Sequence, residues 1–184
     1  MNTRPVMALA AMLVLPLAAA AAEPMKPSTA GKLLIDDDQK EFFAAAASSG
    51  MFEVKAAELA LKRAEDPEVK SFAQRMLEDH RKANEELKAL AQQKGVTLST
   101  QLMGRHQTMY DELKDEQSAA AFEDAYKNAM LASHKEAVTL FDEMADDAED
   151  ADVRQFAAKT LAKLQQHGGM AKGLPDEENR DTSG

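Results

Sequence analysis

Between Asp66 and Leu90, apolar residues recur every three or four positions: Val69, Ala73, Met76, Ala83, Leu87 and Leu90. That spacing predicts an amphipathic helix with one buried face. Asp66 suits a helix N-cap, Pro67 the first turn and Glu68 the positive end of the helix dipole. One position in the buried row is not apolar. His80 occupies it, with Asp79 beside it. A helix of this kind cannot stand alone, so the rest of the chain has to supply faces that cover it.

An internal repeat indicates how it does so. AEDPEVKSFAQ at 64–74 aligns with AEDADVRQFAA at 148–158, with six of eleven positions identical. Glu68/Asp152 and Lys70/Arg154 keep their charge. Each copy reads as a turn followed by the start of a hairpin's second helix.

The rest of the chain fits two such hairpins. The first helix is predicted from about Asp38 to Ala64, behind the acidic start Asp36–Asp38. Its stripe is Phe43, Ala46 or Ala47, Gly50, Val54, Ala57, Leu61 and Ala64. The second runs from Pro67 to Lys94 and stops at Gly95, a residue suited to the left-handed C-terminal position. Residues 95–117 form a connector whose middle, Met103 to Leu113, is predicted to hold a short helix.

The third helix spans Ser118 to Asp146, with Phe122, Tyr126, Ala129, Ser133, Ala137, Leu140 and Met144 inward. The fourth follows Asp150, with Val153, Ala157, Thr160, Leu164, His167, Ala171 and Leu174 inward; Gly168-Gly169 is expected to loosen its end. Two hairpins joined by a longer connector make an all-α, antiparallel four-helix bundle.

Composition agrees and narrows the functions. Aromatic residues are only 5% of the 184-residue chain and there is no Trp, while good helix formers abound. With no Cys, the chain has no disulfide, thiolate metal site or Cys nucleophile. A net charge of −10 disfavours nucleic acid and anionic lipid as partners. No Gly-rich phosphate loop and no Ser/His/Asp ordering stands out.

Residues 1–22 read as a secretory leader: Arg4, an apolar run from Val6 to Leu17, then small residues ending at Ala22. The run is short for a membrane span of about 20 residues. The expectation is therefore cleavage near Ala22, export to the periplasm and no membrane span afterwards. Residues 23–35, with Pro24, Pro27, Ser28 and Gly31, read as a flexible linker. The helical domain is expected over 36–174, and the polar residues 175–184 as a disordered tail.

Chemistry concentrates on the histidines. His80 lies about fifteen residues after the first hairpin turn, His134 about fifteen before the second, and His167 about eighteen after it. At 1.5 Å per residue all three sit roughly 22–27 Å from a turn. Three helices thus each offer one imidazole, the commonest nitrogen ligand for transition metals. Asp79, Glu53 and Glu136 are the candidate carboxylate partners.

Each histidine also has a methionine one turn away: Met76/His80, Met130/His134 and His167/Met170. Thioether with imidazole suits copper, particularly Cu(I), although methionine at stripe spacing also serves as plain core filler. A histidine at a core edge can equally make one hydrogen bond and nothing more. His106, in the connector, receives no role.

The pattern Gly50-x-x-Glu53-Val54, Leu59-Ala60 and Val69-Lys70-x-Phe72-Ala73-x-x-Met76-x-x-Asp79-His80, with the later His134, Phe156-Ala157 and His167, resembles an exported bacterial family. That family is known as domain of unknown function 4142 and is placed with the ferritin-like bundles. The likeness spans about residues 36–174. It implies a ferritin-like four-helix fold and a periplasmic or envelope location, and no established activity.

The chain departs from the di-iron members of the wider superfamily, which carry Glu-x-x-His. Here Leu77, Leu131 and Leu164 stand three residues before the histidines. An oxidative enzyme is accordingly the least supported function. A periplasmic protein holding one transition-metal ion, copper or zinc before di-iron, is the first expectation. A structural or stress-response interaction protein without metal, acting through an envelope partner or a second copy of itself, is the other.

Overall fold

The structure is a computed structural model and describes residues 35–175. The expected leader 1–22, most of the linker 23–35 and nearly all of the tail 175–184 lie outside the described residues. Within them the chain forms α1 (Asp37–Arg63), α2 (Pro67–Lys94), α3 (Gly104–Asp115), α4 (Ala119–Asp147) and α5 (Ala151–Lys172), and no strand. None of these helices is long and apolar enough to cross a membrane.

The two repeat copies do the same job. Asp66 Oδ1 accepts from the amides of Glu68 and Val69 at 2.7 and 3.2 Å. Asp150 Oδ1 accepts from Asp152 and Val153 at 2.9 and 3.2 Å. In both copies the following Val and the Ala of the Phe-Ala pair are completely buried. The repeat is thus the hinge of the hairpins α1–α2 and α4–α5. At the first hinge the buried Glu123 carboxylate also accepts from the amides of Glu65 and Asp66, at 2.7 and 2.8 Å. Gly95 ends α2 at φ 70°, the left-handed conformation in which a Cβ would be strained.

α1 packs on α2 and α4, and α5 on α4 and α2. The C-terminal half of α1 shares one apolar cluster with the N-terminal halves of α2 and α4 and the end of α5. α2 therefore ends at the pole opposite the one where α4 begins, and the chain has to cross the length of the bundle between them. That crossover makes the topology ferritin-like. It is built as α3, laid against α1 and α4, within about two residues of the short connector helix expected from Met103 to Leu113.

His106, to which the sequence assigned no role, pins α3 in place. It is buried, its Nδ1 lies 2.7 Å from Ser48 Oγ, and its ring stacks on Phe52. Ser48 Oγ also accepts from the Met103 amide at 2.8 Å, where α3 begins without a side-chain cap.

α1 departs most from its expected pattern. The expected single stripe is too narrow: Phe42, Phe52, Glu53, Ala56 and Ala60 are all buried, whereas Val54 and Leu61 are only half-buried. α1 is covered from several sides, so more than one row of residues faces a neighbour. Gly50 leaves room for the Asn84 side chain of α2, because a Cβ there would sit 1.9 Å from Asn84 Oδ1. The seven positions expected inward on α5 are all buried. Gly168 and Gly169 do not loosen that helix; it continues through Lys172 because Ala171 and Leu174 are still packed in the core.

The core is two apolar layers. One contains Phe52, Phe72, Leu113, Phe122, Tyr126 and Met130; the other contains Phe42, Phe43, Leu87, Phe141, Phe156 and Leu164. Between them every long helix contributes a buried polar group: Glu53 from α1, His80 from α2, Ser133 and His134 from α4, and His167 from α5.

Candidate metal centre

His80, His134 and His167 meet in that polar layer. Their ring centroids are 5.2, 5.5 and 5.6 Å apart, and one nitrogen of each lies within 4.8 Å of the others. All three are buried. The sequence placed them at a common depth from the hairpin turns, and the crossover topology brings those depths to one level.

The outer nitrogens decide the protonation. His80 Nδ1 lies 2.8 Å from Glu53 Oε2. His134 Nδ1 lies 2.8 Å from the Met130 carbonyl and 3.4 Å from Glu53 Oε1. His167 Nε2 lies 2.8 Å from Asp79 Oδ2. A carboxylate or carbonyl at that distance is an acceptor, so each of these nitrogens carries the hydrogen. In the neutral rings, His80 Nε2, His134 Nε2 and His167 Nδ1 are then bare lone pairs. His134 Nε2 is buried with no hydrogen-bond partner among the described residues. His167 Nδ1 and His80 Nε2 stand 3.3 Å apart, and two lone pairs at that separation repel unless a positive charge lies near both.

Glu53 and Asp79, expected as carboxylate ligands, lie behind the rings and orient them, the usual second layer around a metal-bound histidine. Ser133, which the sequence placed inward without a role, donates its hydroxyl to Glu53 Oε1 at 2.9 Å. Glu136 takes no part: it lies on the outer side of α4, half-exposed, paired with Arg105. Met76 and Met130 are completely buried in the adjoining apolar layer, and Met170 is partly buried against it.

Burial disfavours the charged form of two of the rings, and Glu53 stays charged. Burial pushes the His167 imidazole down to about 4 despite the opposing hydrogen bond to Asp79. Burial likewise lowers His134, with Glu53 pulling the other way. Burial alone would raise the Glu53 carboxyl; the charge that His80 and His134 carry when protonated, with the hydrogen bonds from His80 and Ser133, outweighs it and lowers the group to about 2.

A stability prediction follows for the metal-free protein. An unfolded histidine takes up its proton near pH 6.5; folded His167 does so only near 4. The unfolded state therefore binds more protons through that window. Stability should be full above pH 6.5 and fall as pH drops from 6.5 to 4, by up to about 1.4 kcal/mol per pH unit for one such residue. Thermal melts in EDTA followed by circular dichroism would measure this. A midpoint unchanged between pH 7 and 5 would show that the cluster does not hold neutral histidines.

Comparison with known proteins agrees with the fold. The family described as Domain of unknown function (DUF4142) matches residues 24–174. No curated protein matches the sequence. A DUF305 fragment from Deinococcus radiodurans is similar in structure, with TM-score 0.66 at 16% identity over 75% of this chain and 95% of that one. CopM in the Cu(I)-bound form has TM-score 0.63 at 19% identity, over 82% of this chain and 100% of that one. CopM in the Cu(II)-bound form has TM-score 0.62 at 21% identity, over 73% and 93%.

Proposed function

The chain belongs to the DUF4142 family, whose description names no activity, and from the site itself we propose that it is an exported protein that holds one transition-metal ion between His80, His134 and His167. The observation that carries this is the set of three inward nitrogens in a buried layer, with the other nitrogen of each ring facing a carboxylate or carbonyl acceptor. Three fixed imidazoles lose little freedom on binding, and neutral nitrogen donors suit copper and zinc.

Copper is the first ion to test, because CopM, similar in fold, is described in Cu(I)-, Cu(II)- and Ag-bound forms. Met76 and Met130, one turn from His80 and His134, would suit Cu(I). Leu77, Leu131 and Leu164 stand where di-iron proteins carry glutamates, so iron oxidation chemistry lacks its ligands. We place the protein in the periplasm, after removal of the leader near Ala22.

One observation favours a second reading. The 3.3 Å separation of His167 Nδ1 and His80 Nε2 also fits a shared proton, which would close the network without metal and leave a structural or interaction protein. Elemental analysis and titration of residues 23–184, purified without a His tag, separate the two. The expected result is about one equivalent of a single metal, lost when all three histidines become alanine. A folded protein that takes up no copper or zinc, or a triple variant that still binds one equivalent, would defeat the metal reading.

A further inference from the structure

The three histidines are buried, so an ion needs a way in. Among the described residues, a cleft reaches two of the rings. It lies between α2 and α5, has a volume of about 130 Å³, and is lined by His80 and His167 at its inner end and Ala83 and Thr160 along its walls. At about 30 Å³ per water, it has room for an ion that still carries part of its hydration shell. The groove between α1, α3 and α4 touches none of the three histidines. A smaller cavity beside Glu53 and His80 measures only about 20 Å³, room for about one water.

Two ion pairs span the cleft. Glu86 on α2 meets Lys159 on α5 at 2.7 Å. Asp79 on α2 meets Lys163 on α5 at 3.4 Å. Asp79 has a double attachment: the same Oδ2 lies 2.8 Å from His167 Nε2. Its side chain is 28% exposed, whereas that of His167 is 2% exposed. It is therefore the group that joins the buried triad to solvent. Ion pairs this exposed contribute only about 0–1 kcal/mol, so they can open without disturbing the core.

We propose that the α2/α5 cleft is the port through which the ion of the histidine site exchanges, with Asp79 as its first carboxylate contact and Lys163 as the group that competes for that carboxylate. The inference rests on the proposed metal site. A cation entering the cleft displaces Lys163 from Asp79, then passes to the inward nitrogens of His167 and His80. Narrowing the cleft should slow loading and release together and leave the equilibrium alone. Removing Lys163 should speed them.

The test follows Cu(II) binding by stopped-flow and its removal by EDTA, on the full-length mature protein, after stoichiometry has been measured at equilibrium. Ala83→Phe narrows the cleft at a half-buried position. It should retain one equivalent with an unchanged Kd, while both rates fall at least tenfold. Lys163→Ala, an exposed change that leaves packing intact, should raise both rates severalfold and keeps the test alive if the phenylalanine variant does not fold. One equivalent bound at wild-type rates in the variants would overturn the port and leave the site standing. A wild-type protein that binds no Cu(II) would overturn the site and the port with it.

Discussion

Replacing Phe52 with alanine should destabilise the protein by about 3–5 kcal/mol, the cost of emptying a fully buried aromatic site. At about 2–4 °C per kcal/mol for a domain of this size, the melting midpoint should fall by roughly 6–20 °C. Phe52 is completely buried. It packs in the same apolar layer as Phe72, Leu113 and Phe122, and its ring lies 5.8 Å from His106 at 14°. The substitution therefore removes both core volume and the platform that holds α3.

Leu61 is the matched control. The simple three-and-four spacing places Leu61 inward and leaves Phe52 out, yet in the structure Leu61 is only half-buried. Leu61→Ala should cost less than half as much. Urea unfolding of both variants measures the difference. Equal losses would mean that α1 buries one stripe and that α3 does not cover it.

Replacing Glu53 with glutamine should weaken metal binding by about 10–100-fold, the usual penalty for losing a group that orients a metal-bound histidine. The mechanism is directional. Both carboxylate oxygens of Glu53 accept, one from His80 Nδ1 at 2.8 Å and the other from Ser133 at 2.9 Å, with His134 Nδ1 3.4 Å from the latter. A glutamine amide keeps one acceptor and turns a donor toward the remaining partner. Where that donor faces His80, the ring loses the contact that keeps its hydrogen on the outer nitrogen, and its inward lone pair is no longer assured. The buried negative charge that attracts a cation is lost as well.

Copper or zinc titration of the variant, alongside a thermal melt to confirm folding, checks this. An unchanged affinity in a folded variant would show that Glu53 neither orients the rings nor contributes charge to the site.

How much of this was legible in the sequence depends on how local the signal was. The hairpin hinges were legible because capping is a contact between neighbours: Asp66 and Asp150 recur in the same words and make the same bonds. α5 was legible because one face of that helix is buried, so a single row at 3.6-residue spacing describes it. α1 was not, because three helices pack around it and periodicity finds only one face. His106 was unreadable for a related reason: its partners, Ser48 and Phe52, lie 58 and 54 positions earlier in the chain. The roles of Glu53 and Asp79 were half legible. Their proximity to the histidines could be inferred from depth along the helices, but whether a carboxylate faces a ring's inner or outer nitrogen depends on rotamers that no spacing records.

The sequence by itself determined the helices, their two hairpins, and the depth at which each histidine sits, because those follow from capping, periodicity and a fixed rise per residue. Only the tertiary structure decided that the crossover helix covers α1, that the histidines of α2, α4 and α5 share one level, and that Glu53 and Asp79 stand behind them. These are relations between distant segments. They are set by how the side chains of packed helices interlock, and interlocking is a property of the assembled bundle that no single stretch of chain carries.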